Sequence, residues 1–535
     1  MASAPGLAAS VLAQARRTPD AIAVVDGDRR LSYAELDGAS ATVARSLRRA
    51  GVHPGQAVAV RLPRGWRLVC VMLGVLRLGA TVVPLDRQSP PGRRDHMLRD
   101  SAAVAVVHGP DAPGDLPDGI RPLPAEALLA AADAPTRTDG QPGPQAAPAP
   151  VAFVFYTSGT TGRPKGVEVR DAGVLRLARP GYLALAPAAR YASLANPAFD
   201  AISFEVWVPL LTGGCCVVLD DETVATPHLL DAALRRERID TLFITVALFN
   251  AVVDELPHCF ADVGQVLIGG EQLNARLIRR WYRDNPASRT RLHNVYGPTE
   301  ATTFALCHPI PRDFDADVVP IGRVLPGTDA HLVVDGERLA APGEVAELYL
   351  GGTALAAGYR NLPGETAARF VRLPWLDDTA GRHYRTGDLV RADAAGRVEY
   401  VGRVDRQVKV RGFRVEPGEV ERQLLAHPGV RQAYVCTRRD PAHGTNELLA
   451  YVVTAAGLSY AEFDRHLGET LPPYLRPHRV HRVAALPLTA NGKVDADALL
   501  RRDDPPWRDG RADPHPRDTR DGRDDPHPRD GRDRR

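Results

Sequence analysis

Short apolar runs alternate with helical patterns through the first four hundred residues. The runs "QAVAVRL" (56–62), "AAVAVV" (102–107), "VAFVFYT" (151–157), "TLFITV" (241–246), "DVGQVLIGG" (262–270) and "RLHNVY" (291–296) read as largely buried strands. Between them, stretches such as "PHLLDAALRRER" (227–238) space apolar residues as one face of a helix does. This alternation predicts α/β layering. The longest apolar stretch, around Leu68 to Leu85, is interrupted by Arg77 and Gly79 and reads as a buried helix followed by a strand, not as a membrane span. Residues 109–150, rich in Pro, Ala and Asp, read as surface loop with one short helix, "AEALLAAAD".

From about Asp405 the texture changes. "PGEVERQLLAHPGV" and "SYAEFDRHLGETLP" have helical spacing, and "RQAYVCT", "ELLAYVVT" and "HRVHRVAAL" read as strands. About a hundred residues of this kind suit a small separate α+β domain. After Leu500 the chain turns to Arg, Asp, Pro, His and Gly, with "DPHPRD" at 513–518 and again at 525–530. So little apolar surface predicts disorder. The expected organisation is a large domain over 1–404, a small one over 405–502, and a dispensable tail over 503–535 that truncation after about Arg502 would remove harmlessly.

Composition narrows the setting more than the chemistry. A chain of 535 residues is too long for one ordinary core, and 44% hydrophobic with 25% charged residues is typical of soluble globular proteins. The formal net charge of +2 implies no nucleic-acid partner. Six cysteines (Cys70, Cys215, Cys216, Cys259, Cys307 and Cys436) are scattered without C-x-x-C spacing, which points away from zinc and towards a reducing cytoplasm. Arg16 and Arg17 follow the Ala-rich start, the wrong order for a secretory signal, and no membrane association is expected.

The candidate chemistry begins with "FVFYTSGTTGRPKG" (153–166), a strand that breaks into small and hydroxylated residues. Gly159 and Gly162 allow close backbone approach, Thr157, Ser158, Thr160 and Thr161 supply hydroxyls, and Lys165 supplies a cation. Successive amides in such a turn can form a phosphate nest. It is not a Walker A loop, because Pro164 stands where the second glycine belongs. G-x-S-x-G, H-E-x-x-H and G-x-G-x-x-G are absent, and "DFDAD" (313–317) lacks the glycine and distal glutamate of a calcium loop.

"YTSGTTGRPKG" resembles the phosphate-loop signature of adenylate-forming enzymes, the family of acyl-CoA synthetases, luciferases and the adenylation domains of nonribosomal peptide synthetases. Further landmarks follow in the family's order: "LSYAELD" (31–37), "LRLGATVVPLD" (76–86), "FDAISFEVWVPLLTGG" (199–214), "NVYGPTE" (294–300), "GEVAELYLGGTALAAGYRN" (343–361), "YRTGDLV" (384–390), "GRVDRQVKVRGFRVEPGEVE" (402–421) and "LPLTANGKVD" (486–495). The 402–421 segment most resembles the amino-acid-activating branch. The resemblance implies a large α/β domain of layered sheets and helices with a small mobile α+β lid. It implies a two-step reaction: a carboxylate joins the α-phosphate of ATP, with pyrophosphate released, and a thiol then displaces AMP. By the same resemblance, Thr157, Ser158, Gly159, Thr160, Thr161, Gly162 and Lys165 surround the β- and γ-phosphates, and Glu300 contacts Mg2+. Tyr296 stacks on adenine, with Gly269, Gly270, Glu271, Gly297 and Thr299 around it. Asp388 accepts the ribose hydroxyls, and Tyr400 and Arg403 add nucleotide contacts. Asp405 is the hinge. One lid orientation brings Lys493 between substrate carboxylate and phosphate, and the other withdraws it and presents the Gly412 loop to the thiol.

The acyl pocket carried over in this way falls on Asp200, Ala201, Phe204, Phe243, Leu267, Gly269, Val295, Thr303, Phe304 and Lys493. A buried Asp200 would need a cation, which an α-ammonium supplies. Three phenylalanines limit the volume while Gly269 leaves depth, so a branched aliphatic amino acid, isoleucine or valine, is expected. The expected acceptor is the phosphopantetheine thiol of a separate carrier protein, because the residues after Leu500 are too few and too polar to fold as one. A small MbtH-like activator is a further implied partner. The competing readings are an acyl- or aryl-CoA ligase of the same fold and an inactive nucleotide-binding scaffold. Asp200 speaks against the first, and the joint presence of Lys165, Glu300, Asp388 and Lys493 against the second.

Overall fold

A computed structural model of the chain describes residues 6–111, 114–130, 150–159, 162–376, 381–440, 445–489, 493–502 and 505–507. Six parallel strands, in the order Arg291–Tyr296, Gln265–Gly269, Thr241–Thr245, Arg190–Ser193, Cys215–Val218 and Ile22–Asp26, form the centre of a nine-stranded sheet. Antiparallel strands close both its edges: Leu306–Ile310 and then Arg323–Val324 on one side, Arg29–Ser32 on the other. The strands expected from apolar runs at 241–246, 262–270 and 291–296 are thus neighbours, and their near-continuous burial is what a sheet covered on both faces requires.

A second sheet holds Arg121–Pro124, Ala103–His108, Ala57–Arg61, Thr81–Pro84 and Phe153–Thr157 in parallel, ending in an antiparallel turn back to Lys165–Val169. The apolar stretch after Leu68 folds as the helix Trp66–Arg77, buried from Leu68 to Arg77, followed by the strand Thr81–Pro84. Its side chains join the largest hydrophobic cluster, which also takes in Phe153, Phe155 and Trp207. Among the described residues, no helix is long and apolar enough to cross a membrane, and the six cysteines are free thiols.

The strand–helix alternation does not run to residue 400. From Thr328 the chain builds an antiparallel sheet of Thr328–Val334, Ala346–Gly352, His383–Ala392 and Val398–Arg403, interrupted by the short helix Pro363–Arg369. The last two strands are joined by residues 393–397 alone. So short a connection permits a hairpin and not a helical crossover.

Beyond Asp405 lie the hairpin Val408–Val410/Phe413–Val415, the helix Pro417–Leu425, a three-stranded sheet (Val430–Arg439, Asn446–Thr454, Arg479–Arg482) and the helix Tyr460–Thr470. They share one core centred on Val420, Leu424, Leu448, Val452, Phe463 and Leu467. The chain thus has a large N-terminal domain and a small C-terminal one. The expected appendage after Arg502 needs correction at Trp507. Its ring packs 5.1 Å from Phe463 and 5.6 Å from Tyr460, and its backbone N–H donates to Val480 O at 2.7 Å. One indole brings enough apolar area to dock on a core even within a charged segment. The rest of the tail, from 508, lies outside the described residues.

Candidate active site

In open α/β sheets a crevice forms outside the carboxyl ends of the parallel strands, at the point where the strand order reverses. Here that crevice is a cavity of about 840 Å³, roofed by the small domain's hairpin. The strand ends deliver Leu194–Asn196, Thr245, Gly270 and Gly297, and the hairpin delivers Lys409, Gly412 and Arg414.

One end of the cavity is apolar. Ala201, Phe243, Val295, Thr303 and Phe304 line it. Phe204 and Leu267 are buried behind this wall: the Phe204 and Phe243 rings each lie 5.2 Å from that of Phe304. Gly269 does not give the depth expected of it. A Cβ there would meet Val295 O at 2.5 Å, so the missing side chain is already replaced by the neighbouring strand. Asp200 stands at the rim of this end. Burial pushes its carboxyl up to about 6, against hydrogen bonds from the Thr299 hydroxyl and the Thr303 amide. Thr299, expected on the nucleotide side, therefore serves Asp200. Among the described residues no cation forms an ion pair with this carboxylate.

The other end is polar. Asp388 is buried, and its two oxygens are engaged by the Tyr296 hydroxyl and the Arg403 guanidinium. Arg403 also grips Asp405 at 2.7 and 3.1 Å and so ties Asp388 to the expected hinge. Lys409 Nζ lies 5.3 Å from the centroid of the Tyr296 ring. Tyr400 is half-buried on the neighbouring strand, outside the cavity lining. Gly270 adopts φ +94°, and a Cβ there would come within 3.0 Å of Gly412 Cα, so two bare backbones meet at the roof. Glu271 completes this seat by accepting the Gly412 N–H at 2.7 Å.

The phosphate-loop residues are bound to the small domain. Ser158 Oγ donates to Arg414 O at 2.7 Å and Gly159 N–H to Glu419 at 3.1 Å, while Glu419 also pairs with buried Arg93. Thr157 lines the cavity with its hydroxyl buried and unpartnered. Gly162 turns at φ +78° against Arg422, and Thr160 and Thr161 lie outside the described residues. Lys165 does not reach the cavity. Its ammonium sits 4.1 Å above the Tyr359 ring and 3.7 Å from Glu365, and burial, with Arg414 nearby, lowers its pKa.

Glu300 is fully buried. Burial alone would raise its pKa, but Arg414 donates to both its oxygens (3.0 and 2.8 Å), Lys165 lies close, and the Tyr359 hydroxyl donates at 2.6 Å. Together they hold it down to about 2. Lys493 is exposed and away from the cavity, its amide N–H donating to Thr489 Oγ1 at 3.3 Å. Sequence reasoning passed over Arg414, Lys409 and Phe199. The first two stand in the quoted motif beside Gly412, and Phe199 packs 4.8 Å from Phe413 and 5.5 Å from Tyr474 across the domain junction.

Residues 11–360 match the family model of the AMP-binding enzyme, and residues 419–493 that of the AMP-binding enzyme C-terminal domain. The chain is 39% identical over 497 residues to malpibaldin synthetase of Mortierella alpina, covering 91% of this chain and 9% of that protein. It is 38% identical over 497 residues to novobiocin biosynthesis protein H of Streptomyces niveus, covering 90% of this chain and 80% of that one. Among solved structures, holo-PA1221, a nonribosomal peptide synthetase protein containing adenylation and PCP domains bound to a vinylsulfonamide inhibitor, superposes with a TM-score of 0.81 at 32% identity, covering 93% of this chain and 84% of that one. Several relatives are much longer than this chain, which spans less than a tenth of malpibaldin synthetase. The chain belongs to the AMP-binding enzyme family, and it resembles the adenylation domains of nonribosomal peptide synthetases.

Proposed function

We propose that the chain activates an amino acid as aminoacyl-AMP, with release of pyrophosphate, and passes the aminoacyl group to the phosphopantetheine thiol of a carrier protein. The observation that carries this reading is Asp200, a carboxylate at the rim of an apolar pocket with no cation of its own among the described residues. A substrate α-ammonium completes it. Fatty and aryl acids bring no such charge. The three phenylalanines around the pocket leave room for a branched aliphatic side chain, and valine and isoleucine differ by one methylene, worth about 1–3 kcal/mol of discrimination.

In the first step a carboxylate oxygen bonds to the α-phosphorus and the bond to the β-phosphate oxygen breaks. Both reactants are anionic, so the site must supply positive charge and alignment. The unpartnered, cavity-lining Thr157 hydroxyl suits a phosphate oxygen, and Lys165, held against Tyr359 and Glu365 in this lid orientation, would supply the cation in the other. Glu300 fits Mg2+: it is a buried, ionised carboxylate that already attracts a cation, and Mg2+ is commonly held by one or two protein carboxylates together with substrate phosphates. When bound, the metal would neutralise phosphate charge. Asp388 and Arg403 suit the ribose, and Tyr296 the base. Lys493 belongs to the other lid orientation, with Asp405 as pivot. The orientation seen, with the Gly412 loop over the cavity and Lys493 outside, suits the second step, in which the thiol sulfur bonds to the acyl carbon and AMP leaves.

Amino-acid-dependent ATP–pyrophosphate exchange over a panel of amino and carboxylic acids tests the first step. Lys493→Ala should lower exchange about 10²–10³-fold. Preference for an acid without an α-amine would overturn the amino-acid reading. Loading of holo-carrier proteins supplied in trans tests the second step, and CoA-thioester formation without carrier loading would overturn it.

A further inference from the structure

The loop Ala301–Phe304 is both the wall of the acyl pocket and the support of Asp200. Thr303 Oγ1 donates to Asp200 O at 2.7 Å, the Thr303 amide faces the Asp200 carboxylate, and Phe304 forms the pocket's apolar side. This loop runs through a costly conformation. Thr302 and Thr303 are consecutive β-branched residues at φ +51° and +68°, a region in which such side chains are genuine outliers. Backbone of this kind persists only where its surroundings over-determine it.

Two residues of one short helix, Asp171–Arg176, meet this loop. Gly173 lets the helix press against Thr302: a Cβ there would fall 2.3 Å from Thr302 Oγ1. One turn on, the fully buried Arg176 directs Nη2 at three carbonyls of the loop: Ala301 O at 2.7 Å, Thr302 O at 3.1 Å, and Phe304 O. Among the described residues it has no carboxylate partner, and its Nε and Nη1 have no acceptor at all. A guanidinium desolvated without a counter-charge is a poor stabiliser of a core. Its position is explained by what it holds.

We infer that Arg176 is a positioning residue for substrate selection: its guanidinium gathers the Ala301, Thr302 and Phe304 carbonyls and thereby fixes the left-handed path that presents Thr303 to Asp200 and Phe304 to the substrate side chain. The inference rests on the proposal that Asp200 receives an α-ammonium. The ribose side of the nucleotide end, Asp388 and Arg403, is held by other elements.

The test is steady-state pyrophosphate exchange by wild type, Arg176→Met and Arg176→Lys, with the preferred amino acid, the same acid lacking the amine, and ATP each varied. For Arg176→Met the amino-acid KM should rise about tenfold or more, while kcat and the ATP KM stay within about twofold. Preference for the amine-bearing substrate should shrink in parallel. Arg176→Lys, whose ammonium can reach these carbonyls only in part, should fall between wild type and Arg176→Met. Adding Thr302→Gly to Arg176→Met should recover most of the lost amino-acid affinity, since glycine takes positive φ unaided. An unchanged amino-acid KM in Arg176→Met, a uniform loss of kcat with all KM values preserved, or no recovery from Thr302→Gly would each overturn the assignment. If Arg176→Met does not fold, Arg176→Lys decides: a raised amino-acid KM at constant ATP KM supports the role, and an unchanged one overturns it. A wild type indifferent to the amine would instead sink the Asp200 reading, whatever the Arg176 variants do.

Discussion

Replacing Asp200 by asparagine should make the free protein more stable at alkaline pH while destroying its use of amino acids. The carboxyl is pushed from 3.8 to about 6, chiefly by burial. Between these values the folded state keeps a proton that the unfolded state has lost, so the contribution of this group to stability falls as pH rises. Below 3.8 both states are protonated and the effect vanishes. Above 6 the penalty is complete, about 3 kcal/mol from a shift of that size. Asp200 is only half-buried, so solvent screening makes this an upper value. An asparagine at this position would carry no charge and escape the penalty, while its carbonyl could still accept from Thr299. Urea unfolding of ligand-free wild type and Asp200→Asn at pH 8 and pH 4 measures this directly: the variant should be the more stable at pH 8, and the gap should shrink to about 0.6 kcal/mol at pH 4. On the proposed function, the same ionisation would govern substrate binding. At pH 5 about one free site in eleven is ionised, so the amino-acid KM should be about tenfold higher than at pH 8, with the ATP KM unaffected. A variant less stable than wild type at pH 8, or an amino-acid KM flat between pH 5 and pH 8, would refute the reasoning.

Arg414→Met strips Glu300 of its principal counter-charge in the lid orientation seen, and breaking such a buried pair costs about 3–5 kcal/mol. Single-turnover transfer to a carrier should fall more than about 10²-fold with pyrophosphate exchange much less affected, and equal losses in both would contradict the role. Deleting 503–535 removes Trp507 and should lower the small domain's stability by roughly 1–3 kcal/mol, seen as earlier thermal unfolding, whereas deleting 508–535 should leave both stability and exchange unchanged. Phe304→Ala opens the apolar end of the cavity and should move the exchange profile towards larger amino acids; an unaltered profile would remove Phe304 from the pocket.

Much of the frame was legible because it rests on local pattern. Apolar runs at 241–246, 262–270 and 291–296 became adjacent parallel strands, and helical spacing at 227–238 became the helix Pro227–Arg236. The antiparallel sheet after Thr328 was missed because its signal is the length of the connections more than the texture of the strands. At the site, the motif residues Asp200, Phe243, Phe304, Asp388 and Arg403 do converge on one cavity. What could not be read was pairing across long separations. Arg414 lies more than a hundred residues from Glu300, and their contact exists through the seating of one domain on another. Arg176, a lone arginine in a helical stretch, carries the same sequence signal as a solvated one. Gly269 misled in the opposite sense, since an absent side chain says nothing about which neighbour fills its place.

The engagement of Ser158 and Gly159 by the small domain has a consequence for the order of events in a catalytic cycle. On the proposed function, Gly159 N–H would be one of the donors that a phosphate tail claims, and here a resident anion, the Glu419 carboxylate, holds it. Glu419 is therefore a competitor built into the chain. A triphosphate and this seating of the lid draw on the same donor, whereas a monophosphate, which lacks the tail, leaves it free. On that reading the molecule would tell a nucleotide before cleavage from one after it without touching the bond that breaks: departure of pyrophosphate would vacate the donor, and Glu419 would take it. Excess pyrophosphate would then slow acyl transfer by holding the lid away, and a pyrophosphatase would speed it.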